Sequence, residues 1–142
     1  AYFLEYAQDI RKAVSLPLMV TGGFRTREGI ENALQSNVCQ IAGIGRPLCA
    51  DPYCVKKMIA GELEVLPSFE KTLSLGPSIL SPSSPFTIIK VINAFGAMAW
   101  FYQQIKNMAK GIMPNHKQKL FNAFRADMKA DKLAIKDYLD NN

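Results

Sequence analysis

The residues best placed to do chemistry sit in two short glycine-bearing segments, Thr21-Gly22-Gly23-Phe24-Arg25 and Gly43-Ile44-Gly45-Arg46-Pro47. Each follows a short apolar run, Leu18-Met19-Val20 in one case and Ile41-Ala42 in the other, and each leads towards a stretch with helical patterning. Glycine has no Cβ, so backbone N–H groups at such a turn can approach an anion closely. A helix N-terminus beyond the turn adds partial positive charge. Arg46 brings a planar guanidinium that can grip two phosphate oxygens at once, which a lysine cannot. Either glycine pair alone is a common turn signal. Both together, about 22 residues apart and each closing a buried strand, read as two successive loops that share one phosphate.

The elements that must position these turns follow from the periodicity. Phe3, Tyr6, Ala7, Ile10 and Val14 fall on one face of an amphipathic helix over Tyr2 to Val14. Leu18 to Val20 and Gln40 to Ile44 are short and apolar without alternation, as strands buried on both faces of a parallel sheet are. Between them Thr26 is placed to cap a helix with Ile30, Ala33 and Leu34 as its buried stripe, ended by Ser36-Asn37. Asp51-Pro52 opens another helix that runs through Val55, Met58 and Ile59 to Gly61. Alternating helix and strand with short connections predicts right-handed βαβ modules, an α/β fold. Phosphate sites of this kind are made by the loops after strands 7 and 8 of a (β/α)8 barrel.

Residues 67–85 form a Ser/Pro/Gly-enriched connector with a short amphipathic piece near Phe69 to Leu73. A long helix is predicted from Ser84 as cap and Pro85 in the first turn, with Ile88, Ile92, Phe95, Ala99, Tyr102 and Ile105 as its apolar face. Lys90, Asn93, Lys106 and Lys110 make the polar face, and Gly111 and Pro114 end it. Two shorter helices, near Gln118 to Met128 and Lys132 to Leu139, close the chain.

Composition narrows the function classes. Among 142 residues 49% are hydrophobic and 20% charged, a globular balance. The net charge of +5 belongs to the later part: seven basic against seven acidic residues through Leu66, then ten against five. Those lysines are scattered among acids, so nucleic acid is not expected as a partner. Phe86 to Ile105 is long enough to span a bilayer, but Lys90, Asn93, Gln103 and Gln104 interrupt it, so no membrane partner is expected either. Cys39, Cys49 and Cys54 are too few and too poorly spaced for a disulfide framework or a zinc site. Free thiols fit a reducing compartment, and a cytoplasmic location is expected. Trp100, with Phe95, Phe101 and Tyr102, reads as core rather than as an aromatic box. Tyr2, Tyr6, Tyr53, Tyr102 and Tyr138 read as packing on helical faces, and His116, the sole histidine, as a surface residue. The chain opens on Ala1 rather than Met, and its first residue reads as a cut point.

The wording of the segments adds a resemblance. Ala1-Tyr2-Phe3-Leu4-Glu5, Leu16-Pro17-Leu18-Met19-Val20-Thr21-Gly22-Gly23-Phe24-Arg25, and Gly43-Ile44-Gly45-Arg46-Pro47-Leu48 with Asp51-Pro52 closely resemble the Old Yellow Enzyme family of NADH:flavin oxidoreductases. Ala99-Trp100-Phe101-Tyr102-Gln103-Gln104, with Met108 and Gly111, resembles that family's C-terminal extension. The resemblance implies a partial (β/α)8 TIM barrel over residues 1–66 (strands 7 and 8), the connector over 67–85, and a helical extension over 86–142. It implies FMN as cofactor, with NADH or NADPH as reductant in the parent enzyme. Gly22 and Gly23 would contact the FMN phosphate through their backbone, and Gly45 and Arg46 would complete the grip. Phe24 and Arg25 would lie at the rim, Arg25 salt-bridging a neighbouring loop. The parent activity implied is hydride transfer through flavin to an activated alkene, a small-molecule substrate. No catalytic residue and no metal ligand is assigned to this chain, because the family's His/His or His/Asn pair and its tyrosine belong to earlier strands.

Two parallel strands cannot close a barrel, so the chain is expected to need the missing barrel modules, and to be inactive and weak in FMN binding on its own. Three other readings stay open: another FMN barrel oxidoreductase of the 2-hydroxy-acid oxidase or dihydrouridine synthase type, a non-enzymatic helical interaction module, and an inactive truncated product.

Overall fold

The computed structural model describes residues 2–141; Ala1, read above as a cut point, lies outside them. The chain divides into two compact units, Ala1–Ser68 and Phe69–Asn142.

In the first unit the order is α1 (Leu4–Ala13), β1 (Met19–Thr21), α2 (Arg27–Gln35), β2 (Ile41–Gly43), α3 (Arg46–Ala50) and α4 (Cys54–Ile59). The strands pair in parallel, Met19 with Ile41, Val20 with Ala42 and Thr21 with Gly43. The register is fixed at its entrance. The Leu18 carbonyl accepts from the amides of Gln40 (2.9 Å) and Ile41 (3.2 Å), and the Leu18 amide donates to Gln40 Oε1 (2.9 Å). Thr26 caps α2 as its position predicts, Oγ1 accepting from the Gly29 amide at 3.1 Å. Asn37 leaves the helix at φ 58°, a conformation asparagine tolerates. Asp51 accepts from the Tyr53 amide (2.9 Å) and from Lys57 Nζ (2.7 Å), so the Asp51-Pro52 entry is real, with regular helix starting at Cys54.

The core of this unit is Ala7, Val20, Phe24, Ala33, Val38 and Cys39, joined by a second cluster of Cys54, Met58 and Leu66. Only half of the predicted burial is present. Of β1, Val20 is buried, whereas Met19 and its neighbour Ile41 are 63% and 52% exposed, because among the described residues of this unit no element packs on the second face of the two-stranded sheet. Phe3, Tyr6, Ile10 and Val14 of the α1 stripe are exposed for the same reason, and only Ala7 is buried. Phe3, Tyr6 and Ile10 line an open groove of about 330 Å³ with Leu18 to Thr21. All five tyrosines, read as packing, are exposed.

The cysteines are free. Burial pushes the Cys39 thiol up, and burial with the nearby Asp51 charge pushes up Cys54. Both therefore stay protonated and shielded at neutral pH. In the native chain a disulfide reagent at pH 8 should modify half-buried Cys49 first, with Cys39 and Cys54 reacting only at the rate of opening; three equal rates would contradict this packing.

The second unit consists of short 3-10 turns at Phe69–Lys71 and Ser78–Leu80, a 23-residue α5 (Thr87–Ala109) and a 21-residue α6 (Leu120–Asp140). The two short terminal helices predicted from the sequence are one: no glycine or proline interrupts residues 128–132, and Ala126 and Ala130 favour helix. The start of α5 falls at Thr87, later than Ser84-Pro85 suggests, and Ser84 Oγ accepts from the Phe86 amide ahead of it. Among the described residues no helix is long and apolar enough to cross a membrane.

The face of α5 that packs inward is not the one its apolar residues mark. Asn93, Gly96, Ala99, Trp100 and Gln104 are buried, while Ile88, Phe95, Tyr102 and Ile105 are exposed. Asn93 and Gln104 go inside because the irregular segments beside them have backbone groups in need of partners. Asn93 Oδ1 accepts from the Leu75 amide at 2.9 Å, and its Nδ2 donates to the carbonyls of Leu80 (3.0 Å) and Ile89 (2.8 Å). Gln104 Oε1 accepts from the Asn115 amide at 2.7 Å, and its Nε2 donates to Gln118 Oε1 at 3.2 Å. Trp100 is fully buried, as the core reading requires, and donates through Nε1 to the Gln118 carbonyl at 3.0 Å. Its ring stacks on Phe69 at 5.6 Å. His116 is at the surface, yet its ring lies 4.4 Å from that of Phe69. Gly96 lets α6 approach: a Cβ there would come within 2.8 Å of Leu120 Cγ.

Candidate functional site

The four predicted site residues are brought to one end of the sheet. Because Thr21 pairs with Gly43 in a parallel register, the chain leaves both strands in the same direction, and Gly22-Gly23 and Ile44-Gly45-Arg46 emerge side by side. Both first-turn glycines have positive φ, 119° at Gly22 and 75° at Gly23, which side chains disfavour. The first turn is held from outside. The Tyr2 amide donates to the Gly22 carbonyl at 3.3 Å, and the Phe3 ring sits where a Gly22 Cβ would be, 3.2 Å away. Gly45 has nothing within 4 Å of its would-be Cβ, so its backbone faces open space. Gly43 is closed in instead, its Cβ position lying against the Thr21 side chain.

Arg46 is the first residue of α3 and is exposed; among the described residues its side chain has no hydrogen bond or ion pair. Gly23 and Gly45 likewise have amides without an acceptor among the described residues. Three donors at one strand-end thus remain available for an anion, two from backbone and one from a guanidinium. That is the chemistry these donors can do: bind and orient an anion, with the Cys49 thiol beside them donating to the Gly45 carbonyl at 3.8 Å. Among the described residues no group of histidine, cysteine or carboxylate is arranged to hold a metal.

Two placements differ from the sequence reading. Phe24 is not at a rim but in the core, 4% exposed. It anchors the turn's exit, since it must point away from the open end for Gly22 and Gly23 to face it. The helix after this turn also contributes less positive charge than its position implies. Residues 25–27 pair back with 64–66: Leu66 donates to the Arg25 carbonyl at 2.7 Å, Arg27 donates to the Glu64 carbonyl at 2.9 Å, and Thr26 bridges Val65. The first amides of α2 are therefore already engaged by Glu64 and Thr26. Arg25 donates to the Phe24 carbonyl at 3.2 Å. The 64–66 contact was missed because Val65-Leu66 is too short to register as a strand; its signal was an apolar pair directly after the Gly61 stop.

The arrangement so far is a pair of parallel strands with helices, and two glycine turns at one strand end. Over 61 residues the chain is 43% identical to bilirubin reductase of Mediterraneibacter gnavus, which covers 43% of this chain and 10% of that protein. It is 40% identical over 60 residues to the NADH-dependent flavin oxidoreductase iliE of Hypocrea jecorina, covering 42% of the chain and 15% of the relative. To the NADH-dependent flavin oxidoreductase iccE of Talaromyces variabilis it is 28% identical over 115 residues, 78% of the chain and 27% of the relative. The chain thus spans between a tenth and about a quarter of the length of these relatives. No protein-family model matches it, and no solved structure does. Two of these three relatives are named NADH-dependent flavin oxidoreductases.

Proposed function

We propose that this chain is the phosphate-binding end of an FMN-dependent NAD(P)H oxidoreductase built on a (β/α)8 barrel, of the Old Yellow Enzyme type. Residues 1–66 are its last two βα modules and residues 86–142 its helical extension, joined by 67–85. The observation that carries this reading is the parallel register that aligns Thr21 with Gly43 and so sets both glycine turns at one strand end. The names of the relatives support flavin and NADH as the cofactor pair. The residues fit the group: Gly22 and Gly23 leave their turn without a side chain, Gly45 faces open space, and Arg46 has an uncommitted guanidinium.

In this reading the amides of Gly23 and Gly45 and the fork of Arg46 hold the phosphate oxygens, and Gly22 supplies the turn that aims them. Bound FMN supplies acceptance and donation of hydride between the nicotinamide and an activated alkene. This chain holds the phosphate and so fixes the distance of the reacting ring from groups on other strands. Proton delivery and carbonyl polarisation fall to residues elsewhere in the parent enzyme.

The test uses the complete polypeptide that contains this chain. It should purify yellow and release FMN on denaturation. Arg46→Ala should weaken FMN binding about 10- to 100-fold, and Arg46→Lys about 10-fold, since a lysine keeps the charge and loses the fork. Flavin fluorescence titration reads both. A colourless protein, or unchanged affinity in Arg46→Ala, would overturn the assignment.

A further inference from the structure

The two turns of the cradle are held in different ways. The second is held by its own helix: the Gly45 carbonyl accepts from the Leu48 amide at 2.9 Å, and Pro47 fixes the backbone in the first turn of α3. The first turn has no such support. Gly22 and Gly23 are consecutive glycines at positive φ, and a peptide unit between two glycines turns over more readily than one between residues with side chains. Its orientation matters, because a trans peptide points its C=O and N–H in opposite directions. The Gly22 carbonyl and the Gly23 amide belong to one such unit. Whatever holds that carbonyl therefore aims that amide.

What holds it is the entrance of α1. The Tyr2 amide donates to the Gly22 carbonyl at 3.3 Å, so the Gly23 N–H is turned away from α1. The Phe3 ring packs on the Gly22 Cα, its Cδ2 and Cε2 both 3.2 Å from the place of a Gly22 Cβ, and opposes rotation there. Phe3 is itself fixed: its carbonyl accepts from the Ala7 amide at 2.9 Å, and its ring leans on Tyr6 with centroids 6.4 Å apart. Beyond the turn Phe24 is buried and the Arg25 carbonyl accepts from the Leu66 amide, so that end is anchored separately. We propose that Phe3, with the Tyr2 amide, is a positioning residue for a phosphate: it holds the Gly22–Gly23 peptide in the orientation that presents the Gly23 amide to the anion. The inference rests on the phosphate reading above and extends it to a side chain on another element; every contact it uses lies inside the first unit. Without this hold the anion must order the turn as it binds, and ordering one residue's backbone lowers affinity about 10-fold.

The test is titration of the complete flavin-free polypeptide with FMN and with riboflavin, which lacks the phosphate. Phe3→Ala should raise the FMN dissociation constant about 10-fold and leave that of riboflavin unchanged. Tyr2→Pro deletes the N–H that holds the Gly22 carbonyl and keeps Phe3, and should give the same FMN-selective loss. Ile10→Ala removes an apolar residue of the same helix that does not touch Gly22, and should change neither affinity. Amide exchange in the flavin-free protein gives a readout without ligand. The Tyr2 amide should exchange faster in Phe3→Ala, while Met19 to Thr21 keep their wild-type rates because the strand pairing is untouched. A loss in Phe3→Ala shared equally by FMN and riboflavin would mean that the ring only supports the fold, and overturns the proposal. Unchanged FMN affinity in both Phe3→Ala and Tyr2→Pro overturns it as well. Arg46→Ala tells the two readings apart. If it weakens FMN selectively and Phe3→Ala does not, the phosphate site stands and the positioning role falls. If Arg46→Ala leaves FMN affinity unchanged, the phosphate reading falls and takes this one with it.

Discussion

Gly43→Val should separate the two strands and dismantle the candidate site before any ligand is added. A Cβ at Gly43 would press into the Thr21 side chain, standing 2.9 Å from its Cβ and 3.3 Å from its Cα. Those atoms belong to or adjoin the backbone and cannot swing aside as a flexible side-chain end could. The strand cannot slide to make room either, because Leu18 is bonded to Gln40 and Ile41 at the other end of the pair. Overpacking of this kind costs about 1–3 kcal/mol for a single added methyl group, and valine adds more. Gly43→Ala should therefore lower stability by about 2 kcal/mol. Adding Thr21→Gly should restore most of it, since the clash is with that side chain. Amide exchange at Met19 to Thr21 reports the event directly: faster exchange in Gly43→Ala, and recovery in the double variant. Equal exchange in wild type and Gly43→Val would show that the strands are not paired as described.

Asn93→Leu should be the most damaging substitution in the second unit, although asparagine and leucine are similar in size and leucine is the better helix former. The gain in helix propensity is a few tenths of a kcal/mol. Against it, the part-buried bonds to the Leu75 amide and the Leu80 carbonyl are both lost. A fully buried backbone group left unsatisfied costs about 1–3 kcal/mol, so two part-buried ones cost about 2–3 kcal/mol, the low end of the doubled range. Asn93→Asp should be nearly as harmful. It keeps an acceptor for Leu75 but sets carboxylate oxygens against the carbonyls of Leu80 and Ile89 in place of a donor. Chemical denaturation followed at Trp100, which is buried in this unit, reads both. A midpoint within experimental error of wild type for Asn93→Leu would mean that the 75–80 segment is not fastened through this residue.

That residue also shows where sequence reading stopped. The glycine turns, the Thr26 cap and the two short apolar runs could be read because each is a local signal: a residue type at a position that needs it. The helix at Arg46 is absent from the sequence reading, which opens the next helix at Asp51-Pro52, although a proline within the first turn after a glycine marks its start. The faces of α5 could not be read this way. Periodicity sorts residues by polarity, and on α5 it puts Ile88, Phe95 and Tyr102 inward and Asn93 outward. The structure reverses this because Leu75, Leu80, Asn115 and Gln118, all distant in sequence, need hydrogen-bond partners that Asn93, Gln104 and Trp100 supply. The same holds for the open face of the sheet. Met19 and Ile41 carry the composition of a strand covered on both sides, and composition does not say what does the covering. At the site itself, residue types and spacing located the donors, whereas the contacts of Tyr2 and Phe3 with Gly22, and of Thr21 with Gly43, join residues that no local periodicity pairs.

The return of residues 64–66 to residues 25–27 sets an order of events during synthesis. The exit of the first turn is stitched to chain made later, after β2, α3 and α4 have all emerged. A nascent polypeptide halted before Val65 carries Gly22 and Gly23 on a loop whose downstream side is unfastened, however well its upstream strand has formed. Closing that long loop is slow relative to winding the helices inside it. The cradle is thus one of the last parts of this unit to mature, and ribosome-bound chains of increasing length should gain protection at Arg27 and Leu66 together.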